Sequence, residues 1–273
     1  MRKLRHNLSY DLIVGGRESL SRILAYLVAL VIALLSFVLQ VLLSDHPNDL
    51  TVANALAYLC EGSPALGATA GVSLMLPITW LTLQALIYFI VVSYPSSALE
   101  HDSFGTVIRM GRIGWWLSKW LWSLICVTVC FVAMLAIAVA MTIPLGGAFS
   151  GFNPQGSFFL YEATPSSSTF SDTEAWSAFV CCYFSSLALA TMGTVLSIII
   201  GPRYAYAALI FLVVTSIYLD SIVLFPQFGM LVRGLPYQTQ ALTPLCEILI
   251  SLLVVVASLI AGLIVIRRRN WFA

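Results

Sequence analysis

The stretch LTPLCEILISLLVVVASLIAGLIVIRRR, residues 242–269, decides the fold. Between Glu247 and Arg267 it runs nineteen residues without a charge, and a helix needs about 20 mainly apolar residues to cross a bilayer. The run then closes on Arg267, Arg268 and Arg269, the basic ending that holds a membrane segment's flank on the cytoplasmic side. Composition extends this reading to the whole chain. Its 273 residues are 60% hydrophobic and only 9% charged, against roughly 25% charged in soluble domains.

Working outward, residues 23–43, 72–94, 120–144, 176–200 and 204–224 form five more apolar runs beside 242–266. The fourth and fifth are separated only by Gly201-Pro202-Arg203, where proline lacks an amide donor and breaks the helix. The expectation is a single all-α transmembrane domain over 1–273: a polytopic membrane protein with about six transmembrane helices. Charge gives its orientation. With the N-terminus inside, twelve of the 13 Lys and Arg fall on the cytoplasmic side, as the positive-inside rule requires. Both ends of the chain are then cytoplasmic, and Arg233 is the one outer basic residue. The first apolar run is too long for a cleaved signal peptide. The outer loop 145–175 is too short to bury a core of its own.

Several kinds of chemistry are not written in the sequence. There is no phosphate-binding G-x-x-x-x-G-K-[ST], no H-E-x-x-H and no G-x-S-x-G. His6, His46 and His101 lie far apart in loops. Cys60, Cys126, Cys130, Cys181, Cys182 and Cys246 show no C-x-x-C or zinc spacing and read as small packing residues. The reading therefore assigns no catalytic, cofactor or metal site. The basic residues lie along the membrane boundary and need no nucleic acid to explain them.

The connection after the second run, ALEHDSFGTVIRMGRIGWWLSKW (98–120), is the most informative segment. Phe104, Val107, Ile108, Gly111 and Trp115 recur at helical spacing on one face, with Arg109 and Arg112 on another. Residues 98–118 are expected to form a short amphipathic helix at the membrane surface, leading into the third span. Lys119 and the Trp115-Trp116-Trp120 cluster suit headgroup depth. An interfacial anchor and a docking helix for a cytoplasmic protein both fit this pattern. At the start of the chain, Leu4, Leu8 and Leu12 suggest an interfacial helix within 1–21, interrupted at Gly15-Gly16.

A charged N-terminal surface helix, six spans and the sequence V-x-R-x-G-R-x-x-W-W-L-S-K-W before the third span resemble an ABC type-2 transporter permease. The likeness covers nearly the whole chain in topology and about 105–120 in motif. It implies the transmembrane subunit of a bacterial exporter in the plasma membrane, paired with a second permease subunit, the same or related. Separate ABC ATPase subunits would bind ATP and Mg. Phe104, Val107, Ile108, Arg109, Arg112, Trp115 and Trp116 would couple the permease to the ATPase. Cargo implied by the family is a peptide, a lipid or glycan, or a hydrophobic drug.

Asp220 and Glu247 lie toward the outer ends of the last two spans. Between them, 225–242 carries Arg233, which is expected to pair with one of the two; in the resembled family this connection holds re-entrant helices that close an outer gate. Charges within the membrane cost several kcal/mol and so face protein or water. A fixed salt-bridge network, a gate in the export path and a proton relay all fit these three residues. The alternatives to the exporter are a proton-coupled secondary transporter using Asp220 and Glu247, and a membrane-embedded enzyme or assembly factor.

Overall fold

The computed structural model describes residues 2–44, 46–64, 76–101, 111–153, 172–219, 221, 223–234 and 242–268. They form eight α-helices and no β-strand. The helices are α1 (Arg2–Glu18), α2 (Leu20–Leu43), α3 (Val52–Leu59), α4 (Ile78–His101), α5 (Arg112–Thr142), α6 (Asp172–Ile200), α7 (Pro202–Tyr218) and α8 (Pro244–Arg268). Five of them, α2, α4, α5, α6 and α8, are long and apolar enough to cross a membrane, and α7 is a shorter apolar helix. The protein is an all-helical, multi-pass membrane protein.

Several boundaries differ from the sequence expectation, each for a local reason. Helix α1 runs straight through Gly15-Gly16 to Glu18. Gly15 is there for close packing: a Cβ would sit 3.0 Å from both Tyr94 and Trp122. The turn comes instead at Ser19, the one non-helical residue before α2. Helix α4 continues past Pro95 to His101; membrane helices tolerate proline because neighbouring groups satisfy the freed carbonyl. The expected surface helix 98–118 is not one element. Residues 98–101 end α4, and Gly111, at φ 73°, is the N-cap of a new helix that runs on as the third span. Positive φ suits glycine, which has no Cβ to clash.

At the centre stands α6, packed against α3, α4, α5, α7 and α8. Its inward side is built from small residues, including Ser186, Ala190 and Thr194, all fully buried. In lipid, helices associate through close van der Waals contact and hydrogen bonding rather than through the hydrophobic effect. A Cβ at Gly193 would lie 2.5 Å from Leu209 and 2.9 Å from Val92, so that glycine sets the α4–α6–α7 spacing. Thr191 and Thr194 return their hydroxyls to carbonyls of their own helix and leave no polar group stranded. Leu24, Val28, Ile32, Leu35 and Leu39 of α2 and Leu249, Leu253, Val256 and Ile260 of α8 are exposed. These are the faces a bilayer covers.

Candidate functional site

Two sites lie at opposite ends of the bundle. The first is at the basic end, where α1, α4 and α5 meet. Asp11 of α1 is 2% exposed. Its carboxylate accepts hydrogen bonds from the Lys119 ammonium at 2.7 Å and the Tyr94 hydroxyl at 2.8 Å, and also from the Ser118 hydroxyl. The ammonium lies 4.1 Å from the centre of the Tyr94 ring and 5.7 Å from that of Trp115. Each charge is therefore desolvated and compensated at once, the condition under which a buried ion pair persists. Beside it, Arg22 at the start of α2 lies over the Phe89 ring and donates to Ser93.

The start of α5 is fixed on its other side as well. Trp116 is 0% exposed, and its indole N–H donates to the Leu259 carbonyl of α8 at 3.1 Å. Gly262 opens the slot for it: a Cβ there would stand 2.0 Å from the indole. Trp115 and Trp116 pack with Val195, Ile198 and Ile266. Trp115, Trp116 and Lys119, read from the sequence as a headgroup-depth cluster, are buried against neighbouring helices. Arg112 alone among the described coupling candidates is exposed, and it donates to the Arg267 carbonyl at 3.3 Å. Phe104, Val107, Ile108 and Arg109 lie outside the described residues.

The second site closes the opposite end. Helix α3 starts at Thr51, whose hydroxyl accepts from the Asn54 amide, a cap that satisfies one of the free donors of the first turn. All eight residues of α3 are buried. Residues 225–229 and 231–233 form two buried 3-10 turns, so the connection before α8 also packs into the bundle. The two connections are joined through their backbones: the Leu231 amide donates to the Cys60 carbonyl at 2.8 Å and the Val232 amide to that of Glu61 at 3.2 Å. Gly62, at φ 73°, lies against Met230 where no side chain fits. The neighbouring Cys182 and burial push the Cys60 thiol's ionisation well above the ordinary thiol range.

Arg233 ties this plug together. Its guanidinium donates to the carbonyls of Ser216 (2.6 Å), Ile217 (2.5 Å), Leu219 (3.2 Å) and Ser63 (2.9 Å), and to the Gln227 side chain (3.0 Å). The Ser216 and Ile217 carbonyls belong to the last turn of α7, which have no partner within their own helix. Arg233 thus supplies the C-terminal cap and a positive charge at the negative end of the helix dipole. This is why α7 stops at Tyr218, six residues short of the expected 224. Glu247 does not pair with Arg233 among the described residues, and Asp220 lies outside them. Glu247 lines a cavity of about 20 Å³ with Glu174, Cys181, Leu231 and Gly234, room for a single water.

Among the described residues no cluster of three or more His, Cys, Asp or Glu could hold a metal ion. The fold and these two sites define a class: a multi-pass helical membrane protein with a buried ionic clamp at its basic end and an arginine-centred cluster of buried turns at the other. Comparison with family models, curated proteins and solved structures finds no match.

Proposed function

We propose that the chain is the membrane-spanning permease subunit of an ABC type-2 exporter in a bacterial plasma membrane, with the basic end in the cytoplasm. The observation that carries this reading is the way the start of α5 is held. The helix begins with Arg112, immediately after the connection 102–111. Within its first eight residues it is bound to α1 and α4 through Lys119 and to α8 through Trp116. A force applied at that connection would pass into three other helices. A separate ATPase, binding ATP and Mg, would push there; Arg112 would contact it, while Trp115 and Trp116 carry the motion inward. A second permease subunit would complete the pathway. The plug at the opposite end, with Arg233 at its centre, would open to release a hydrophobic or amphipathic cargo.

A second reading rests on Glu247. A buried carboxylate beside a water-sized cavity suits a proton site, and hence a secondary transporter. Inside-out vesicles separate the two readings. The exporter accumulates cargo only with ATP and with the ATPase subunit present. The secondary transporter accumulates it in proteoliposomes of the chain alone under a pH gradient.

A further inference from the structure

Helix α1 carries its polarity the wrong way round for a helix facing water. Its carboxylate Asp11 points into the protein, while Ile13 is 72% exposed and Tyr10 40% exposed. A helix packed on a bundle and washed by solvent would bury the isoleucine and expose the acid.

The outward residues also have a register. Tyr10, Ile13 and Arg17 are exposed at steps of three and four, which keeps them on one side of α1. Beyond the turn at Ser19, α2 exposes an apolar stripe of its own, Leu20, Leu24, Val28, Val31, Leu35, Leu39 and Leu42. On α2, a membrane span, that stripe faces acyl chains. The exposed side of α1, with Tyr10 and Ile13, presents the same apolar chemistry.

Charge completes the argument. Arg17 lies within the stripe, and Arg2, Lys3 and Arg5 precede it in the sequence. Exposed Arg112, Arg203, Arg267 and Arg268 lie at the same end of the bundle. Of the two acids on α1, Asp11 is already neutralised by Lys119, and exposed Glu18 offsets only one of the basic charges gathered at this end. Each basic residue near an anionic leaflet contributes roughly 1 kcal/mol of attraction.

From this we infer that the outward face of α1 is a docking surface for anionic phospholipid. Ile13 and Tyr10 enter the acyl boundary and Arg17 lies at the phosphates, as in an interfacial amphipathic helix. The inference rests on the membrane reading alone and holds with or without an ATPase partner.

The test uses the full chain in lipid nanodiscs, with exposed Cys246 changed to Ser and a bimane fluorophore on Ile13→Cys. Leu24→Cys is the lipid-facing control. With lipids brominated on the acyl chain, bimane at position 13 should lose emission as the control does. The loss should be greater when the bromine is carried by phosphatidylglycerol than by phosphatidylcholine at equal fraction. Emission unchanged at position 13 while the control is quenched would overturn the inference, whether the site is then open to a water-soluble maleimide or covered by another protein. Equal quenching by the two headgroups would overturn the preference for anionic lipid.

Discussion

The Lys119 ammonium and the Asp11 carboxylate, 108 positions apart in the chain, form a 2.7 Å ion pair with both side chains 3% exposed. Removing one partner leaves the other charged, buried and uncompensated, which costs about 3–5 kcal/mol. Asp11→Asn and Lys119→Met should each lower stability by that order. The paired change Asp11→Leu with Lys119→Met should recover most of the loss, because the pair's own net contribution is small. A double-mutant cycle on unfolding in bicelles reads the coupling directly; additive losses would mean that the two residues do not act as a pair.

Arg233 should not be replaceable by lysine. Its planar fork serves several carbonyls at once, and an ammonium cannot reproduce that geometry. A buried carbonyl left without a donor costs about 1–3 kcal/mol. Arg233→Lys should therefore loosen the end of α7 and the turns beside it. Hydrogen exchange should rise at 213–219 and 227–233 and stay unchanged at the basic end.

Gly262→Val should be among the most damaging single changes in α8. Its side chain would occupy the position of the Trp116 indole. Loss of folded protein after detergent extraction is the expected outcome. Combining it with Trp116→Ala should restore part of the yield, since the smaller residue vacates the slot; no recovery would place the damage elsewhere.

Arg112 and Trp116 should separate by phenotype. Arg112 is exposed, so Arg112→Glu should leave the thermal midpoint of the purified chain unchanged while weakening capture of an ATPase. Trp116→Ala should lower the midpoint itself, with a core-truncation cost of about 3–5 kcal/mol. Equal midpoints for both variants would contradict the burial of Trp116.

The membrane architecture was legible because span length and charge are local properties of a sequence. All six apolar runs became helices, and most boundaries moved by only a few residues. The clearest failures came where distant residues decide the outcome. Residues 219–224 are apolar enough to continue α7, but Arg233 takes up the end of that helix. Gly15 reads as a breaker until Tyr94 and Trp122 are seen against it. Nothing local to Trp116 shows its burial; Gly262, on another helix, opens the slot for it. Asp11 and Lys119 were visible as residues, yet nothing local joins them. An acid within the leucine-spaced part of α1 and a lysine inside an apolar run were the signals available. The burial of α3 had a weaker one: VANALAYL carries no charge.

Purification of the tagged chain from its native membranes, with a photo-crosslinking amino acid in place of Arg112, tests the central claim most directly. The proposal predicts a covalent adduct with a phosphate-loop ATPase, identified by mass spectrometry, and cargo movement that stops when ATP hydrolysis is blocked. A chain that yields no such adduct and moves its cargo alone under a pH gradient would contradict it.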